Sequence, residues 1–344
     1  MIVMVASPLE AALVERIRAC DAVSEVLYDP ALLPPPRYPC DHGGDPSFAR
    51  DAAGEARWQA MLARADAILG YPNESPDGLR ASLAAGPRIR WVQGTSAGMG
   101  AHIRRAQLNA ATLERVTFTS AAGVHAGMLA EFAFYGLLAL RKDAARLAAI
   151  RAERAWQHYP MGELDGSTIA IVGMGQIGRA IAQRARAFGM RVTAVNRSGE
   201  PDPLAERTFP TAQVREALAG ADAVVVTLPI TERTHHLVDA AALAALAPAA
   251  IVVNVGRGAV IDQAALIDAL QRGTLAGAVL DVFDPEPLPP DNPLWTMPNV
   301  IFSPHTAALS LHENARIADL LCENARRVAR GDRPRNLVNL REFY

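Results

Sequence analysis

Residues 173–178 read Gly-Met-Gly-Gln-Ile-Gly, and their setting narrows the fold more than any other stretch of the chain. The pattern G-x-G-x-x-G is weak by itself, because glycines also gather in ordinary turns. Here it follows an apolar run predicted as a strand over 168–172. It opens a segment with helical spacing of apolar residues over 177–188, closed by Gly189. That strand–loop–helix setting is the condition under which the pattern signals a phosphate cradle. Gly173 permits the tight turn, Gly175 lets backbone N–H groups approach a pyrophosphate, and Gly178 lets the helix pack close to the strand. Gln176 and Ile177 stand at the helix N-terminus, whose dipole faces the phosphates.

The same alternation runs through the chain. Strand-like runs at 1–6, 23–28, 67–69 and 89–93 alternate with helical spacing at 9–19, 55–65 and 79–85, which predicts a first α/β unit with a mostly parallel sheet. A long helix is predicted over 125–154. Beyond it, strands at 168–172, 191–195, 223–227, 251–255, 278–282 and 300–302 alternate with helices at 177–188, 214–219, 240–246 and 263–272. Wholly apolar strands such as AVVVTL and AIVVNV suit a sheet covered on both faces. A last helix is predicted over 307–330. Residues 29–46 hold six prolines with Gly43 and Gly44, and read as an irregular loop without an assignable role.

Composition closes off several function classes. Half of the 344 residues are apolar, enough for a sizeable core, and 34 Lys+Arg against 36 Asp+Glu leave a net charge of −2. That balance gives no electrostatic footprint for nucleic acid or an anionic membrane. The longest apolar stretch, 124–140, is interrupted by His125 and Glu131, so no transmembrane helix is expected. The apolar N-terminus lacks a preceding basic segment and reads as a strand rather than a signal peptide. Three scattered cysteines fit neither a disulfide framework nor a zinc site, and a soluble, cytoplasmic protein is the expectation. His235 and His236 are adjacent with no carboxylate or cysteine at ligand spacing, so no metal site is expected.

The strand after the glycine loop bears on which dinucleotide is bound. A free ribose 2′-OH usually meets an acid about 20 residues after the first glycine. This chain reads Val195-Asn196-Arg197-Ser198-Gly199, with no acid before Glu200. Arg197 and Ser198 suit a 2′-phosphate, which favours NADP(H); NAD(H) is the alternative if Asn196 alone serves the ribose.

Three further strand ends carry chemistry. The strand at 251–255 ends in Gly256-Arg257-Gly258, that at 278–282 leads into Phe283-Asp284-Pro285-Glu286, and that at 300–302 leads into Ser303-Pro304-His305. The carboxyl edge of an open α/β sheet is where ligands bind. Reducing a ketone by hydride needs a proton donor for the developing alkoxide, which His305 can be near neutral pH. It needs a carboxylate to orient and charge the imidazole, which Glu286 can be, and a guanidinium for a substrate carboxylate or the polarised carbonyl, which Arg257 can be. Each has a bland reading: a salt bridge, an exposed loop acid, a capping histidine.

Together, GMGQIG, NVGRGAVID, LDVFDPEPLP and SPHTA resemble the D-isomer-specific 2-hydroxyacid dehydrogenases, with WVQGTSAGMG and TSAAGVHAGMLAEFAF as further similar segments. The resemblance implies Arg257 as the substrate-orienting arginine, His305 as the acid/base and Glu286 as its partner. It implies Asp281 near the nicotinamide and ribose and Thr234 near the phosphates; Val255, together with Asn196, Arg197 and Ser198 as read above, completes the expected cofactor set. The backbone N–H groups of Ala97 and Gly98 would hold the substrate carboxylate. It further implies an α/β fold of two Rossmann-like, doubly wound parallel-sheet domains, with the dinucleotide-binding domain (121–308) inserted into the substrate domain (1–120 and 309–344). Two hinge helices would join them, the catalytic cleft would lie between the domains, and a homodimer is usual. Trp156 resembles an aromatic that reaches the neighbouring subunit's site. The implied activity is NAD(P)-dependent reduction of a small 2-keto acid of the glyoxylate or hydroxypyruvate class, or the reverse. The residues 29–46 and the missing acid near Asn196 depart from the family pattern.

Two rivals belong to other classes. A non-catalytic, dinucleotide-sensing or corepressor-like protein could share the fold, but it would not need His305 and Glu286. A serine hydrolase could use Ser96 in Gly94-Thr-Ser-Ala-Gly98, with Asp281 and His305 following in order. Against it, His42-Gly43-Gly44 lies in a proline-rich loop, the residues after Gly98 read as a poor helix start, and a hydrolase leaves the glycine cradle unexplained.

Overall fold

The computed structural model describes residues 1–341 and 343. The chain forms two units, one of Met1–His125 with the stretch from Leu309 onward, the other of Ala126–Ala308. In the first unit the strands are β1 (Ile2–Val5), β2 (Glu25–Leu27), β3 (Ala67–Leu69), β4 (Trp91–Gln93) and β5 (Thr117–Thr119). They form one parallel sheet in the order β2-β1-β3-β4-β5. Alternation along β1 sends Met4 to one core and Val3 and Val5 to the other. The second of those cores is closed by the helix Glu313–Ala329, whose Ile317, Ala318, Leu321, Cys322 and Ala325 recur at helical spacing.

In the second unit the strands are β6 (Thr168–Val172), β7 (Arg191–Asn196), β8 (Arg207–Pro210), β9 (Ala223–Val226), β10 (Ala250–Asn254), β11 (Leu275–Leu280) and β12 (Val300–Phe302). All pair in parallel, in the order β12-β11-β10-β9-β6-β7-β8. Val224 and Val226 of β9 face one core while Ala223 and Val225 face the other, and Val252 opposes Ile251 and Val253 of β10 in the same way. Both faces are therefore buried, which is why these strands carry no polar alternation. The chain runs outward from β6 through β7 to β8, then returns to β9 on the other side of β6. That reversal is the topological switch point where open α/β sheets bind ligands.

Several expected elements shift. The helix predicted over 125–154 breaks into Ala126–Arg141 and Ala144–Glu153. Asp143 between them takes a left-handed backbone (φ 53°) and its carboxylate accepts the Arg146 N–H at 3.2 Å, capping the second piece. The last helix begins at Glu313, not near 307. Edge strand β8, Arg-Thr-Phe-Pro, has no apolar run and ends in proline, so the pattern of the sequence does not announce it. The helix Met99–Ala106 does start directly after Gly98, against the expectation. Full burial of Met99, Ile103 and Ala106 on one face outweighs the missing cap. No helix among the described residues is long and apolar enough to cross a membrane.

The proline-rich stretch is ordered by Asp41. Its buried carboxylate accepts from the Arg37 backbone N–H (3.0 Å), Arg37 Nε (2.7 Å) and the Gly44 N–H (3.1 Å). The Arg37 guanidinium holds that carboxyl well below the usual carboxylate range. The loop thereby presses His42 against Glu313 at 3.4 Å, and His125 meets the same oxygen of Glu313 at 3.1 Å.

Candidate active site

The glycine loop sits at the end of β6, at the switch point. Gly173 has φ 111°, a conformation L side chains avoid, and its carbonyl accepts from Thr227 Oγ1 at 2.7 Å. A Cβ on Gly178 would lie 1.9 Å from the Gly173 carbonyl oxygen, so only glycine allows the helix Gln176–Ala187 to start so close to β6. A Cβ on Gly175 would meet nothing within 4 Å. The backbone there faces open space at a helix N-terminus, as a pyrophosphate requires, so the loop fits a dinucleotide.

At the end of β7, Asn196 shapes the next loop. Its Oδ1 accepts the Ser198 N–H (3.1 Å) and the Gly199 N–H (2.6 Å), while its Nδ2 donates to the Glu200 carbonyl (2.8 Å). Both ends of the amide are thus engaged in folding the turn that carries Arg197 and Ser198. Thr234 is buried, its hydroxyl donating to the Pro229 carbonyl (2.7 Å) and accepting the Thr231 N–H (2.8 Å), so it too builds its loop. Val255 is buried, its N–H donating to the Val226 carbonyl.

The neighbouring strands β10, β11 and β12 deliver the remaining groups. After β10, buried Asn254 accepts the Gly256 N–H (3.1 Å) and donates to the Arg257 carbonyl (3.0 Å), fixing the turn that presents Arg257. A Cβ on Gly258 would lie 1.9 Å from the Phe283 carbonyl, and one on Gly256 2.7 Å from that of Leu228. The arginine is therefore flanked by two positions closed to any side chain. Asn254 was not singled out from the sequence, although it stands in the same NVGRG segment.

After β12, His305 has φ 57°, and its N–H donates to the Asp281 carbonyl at 3.0 Å. The Asp281 carboxylate, 2% exposed, accepts from Ser303 Oγ and from the Ala307 N–H (2.9 Å). Asp281 thus pins both sides of the His305 turn. His305 Nδ1 lies 2.9 Å from Glu286 Oε2, and the other oxygen of Glu286 accepts the Phe283 N–H at 2.9 Å. Glu286 is held by its own loop and in turn holds the imidazole. An apolar hollow of about 360 Å³ opens beside the pair, lined by Phe283, Pro287, Leu288, Trp295, Phe302 and Pro304. Because His305 pairs with Glu286 while the Asp281 carboxylate is taken up by Ser303 Oγ and the Ala307 N–H, the Asp281–His305 pairing that a hydrolase relay needs is not formed. Ala97 and Gly98 belong to the other unit, between β4 and the helix Met99–Ala106.

A nucleotide cradle at the switch point, with a carboxylate-braced histidine and a glycine-flanked arginine on the adjacent strand ends, defines an NAD(P)-dependent oxidoreductase acting on a CH–OH group. The comparisons agree. A family model described as "D-isomer specific 2-hydroxyacid dehydrogenase, NAD binding domain" matches residues 134–307. A glyoxylate reductase of Korarchaeum cryptofilum is 36% identical over 261 residues, 74% of this chain and 77% of that one. A glyoxylate/hydroxypyruvate reductase B of Pectobacterium carotovorum is 38% identical over 214 residues, 59% of this chain and 67% of that one. Among solved structures, a D-isomer specific 2-hydroxyacid dehydrogenase of Xanthobacter autotrophicus, in complex with NADPH and MES, superposes with a TM-score of 0.76. It is 26% identical, covering 100% of this chain and 99% of that one. The chain belongs to the D-isomer-specific 2-hydroxyacid dehydrogenase family.

Proposed function

We propose that the protein is an NADP(H)-linked reductase of a small 2-keto acid, glyoxylate or hydroxypyruvate in class, yielding the D-2-hydroxy acid. The observation that carries the chemistry is the 2.9 Å pairing of His305 Nδ1 with Glu286, on the same sheet edge as Arg257. The relatives named glyoxylate reductase and glyoxylate/hydroxypyruvate reductase support the substrate class. The turn bearing Arg197 and Ser198 and the NADPH-bound neighbour support the cofactor.

A nicotinamide dinucleotide, when bound, would supply hydride chemistry to the substrate carbonyl. Gly173, Gly175, Gln176, Ile177 and Gly178 would hold its pyrophosphate, and Arg197 with Ser198 would hold a 2′-phosphate. Arg257 would hold the substrate carboxylate, and the family resemblance assigns the Ala97 and Gly98 N–H groups to the same carboxylate. Arg257 also strengthens its hold as negative charge grows on the carbonyl oxygen. With Nδ1 committed to Glu286, His305 gives the proton on Nε2 to that oxygen and recovers one from solvent. Asp281 and Asn254 act as positioning residues, through His305 and Arg257 respectively. The reading includes a homodimer, with Trp156, 92% exposed, at the contact between copies.

The test follows NADPH and NADH in parallel at 340 nm with glyoxylate and with hydroxypyruvate. Faster loss of NADPH supports the whole reading. A preference for NADH overturns the role of Arg197 and Ser198, and no turnover with either acid overturns the substrate class.

A further inference from the structure

We propose that His235, His236 and Asp284 form a binding site for a divalent transition-metal ion of the zinc type, made of side chains that have no assigned role in dinucleotide or hydroxyacid binding. One ligand atom from each of the three side chains lies within 4.8 Å of the other two, and all three residues are exposed. Adjacent residues in extended chain send their side chains to opposite sides. Here His236 takes a left-handed backbone (φ 49°), uncommon outside glycine though histidine enters it more readily than most side chains, and the two imidazoles stack with ring centroids 4.0 Å apart.

The backbone around the three ligands is fixed. The His235 N–H donates to the Thr231 carbonyl at 3.0 Å and the His236 N–H to the Ala259 carbonyl at 2.8 Å. Gln263 holds the Asp284 peptide from both sides, its Nε2 donating to the Asp284 carbonyl (2.8 Å) and its Oε1 accepting the Asp284 N–H (3.1 Å). Donor atoms in a tetrahedral zinc site stand roughly 3.3 Å apart. Closing from the present spacing therefore asks a shift of about an ångström of each exposed side chain, and the stacked imidazoles must also swing apart so that their in-plane nitrogen lone pairs converge. Two imidazoles and one carboxylate suit Zn²⁺, Ni²⁺ or Cu²⁺ rather than the all-oxygen preference of Mg²⁺ or Ca²⁺. Three protein ligands leave a fourth position open to water or a small anion. Asp284 shares its loop with Glu286, so a bound ion ties the segment that orients His305 to the segment that follows β9.

The test titrates tag-free, EDTA-treated full-length protein with Zn²⁺ by calorimetry, and separately with Mg²⁺. The expected result is one Zn²⁺ per chain, no saturable Mg²⁺ heat, and affinity reduced at least about tenfold in each of His235→Gln, His236→Asn and Asp284→Asn. Asparagine at 236 tolerates the left-handed backbone. Unchanged ion-free melting of His236→Asn and His235→Gln therefore separates ligand loss from misfolding. A Zn²⁺-induced rise in melting temperature is expected in the wild type and absent in the variants. Failure of the wild type to bind Zn²⁺ stoichiometrically, equal binding by all three variants, or equal Mg²⁺ binding would each overturn the proposal. None of these readouts depends on what the enzyme turns over.

Discussion

Replacing Glu313 by glutamine tests the electrostatics of the first unit. The carboxyl is 3% exposed at the first residue of the helix Glu313–Ala329. Burial pushes its pKa up, but the imidazoles of His125 (3.1 Å) and His42 (3.4 Å) outweigh that and hold it at about 2, against an ordinary 4.5. The difference corresponds to about 3 kcal/mol favouring the folded, ionised form. The folded value lies below the unfolded one, so this contribution is complete above about pH 4.5 and is lost as pH falls towards 2. Glu313→Gln should therefore cost about 3 kcal/mol at pH 7 and only about 1 kcal/mol at pH 3. Urea unfolding followed by tryptophan emission is the assay. Trp58 and Trp91 are buried in the first unit at 3% and 2% exposure, while Trp156 and Trp295 are exposed, so the blue-shifted emission reports the first unit. A variant as stable as wild type at pH 7, or a deficit equal at both pH values, would refute the reasoning.

Two substitutions probe the dinucleotide site. Gly178→Ala places a Cβ 1.9 Å from the Gly173 carbonyl. It should lower NADPH affinity by at least about tenfold at a stability cost of about 1–3 kcal/mol, read by fluorescence titration and melting. Unchanged affinity would contradict the cradle. Arg197→Ala should lower the NADPH-over-NADH ratio of kcat/KM by about tenfold or more, and an unchanged ratio would remove the 2′-phosphate argument.

The parts of the site legible in the sequence are those whose geometry is written within a few residues. GMGQIG, GRG and SPH each sit at a strand end, where a glycine or a turn is forced by backbone approach, and the apolar strands announce a sheet buried on both faces. What the sequence concealed lies in contacts between distant segments. Asp284 stands far from His235 and His236 in the chain, so nothing at ligand spacing announces the third member of the proposed ligand set. His42 acquires a purpose only when the loop ordered by Asp41 meets Glu313. The helix at Met99 starts without a cap because the core buries its face, a tertiary effect that local propensity does not record. Asp281 bracing the His305 turn and Asn254 bracing Arg257 were within motifs already in hand. Their roles follow from which backbone groups they reach, and residue type alone does not show that.

The most direct measurement of the central claim is 340 nm kinetics of His305→Gln beside wild type, with NADPH and glyoxylate, alongside NADPH binding by fluorescence. Loss of the proton donor should lower kcat by at least about a hundredfold while the dissociation constant for NADPH stays within about twofold. Turnover at the wild-type rate in the variant would contradict the assignment of His305, and with it the proposed reduction of a 2-keto acid at this site.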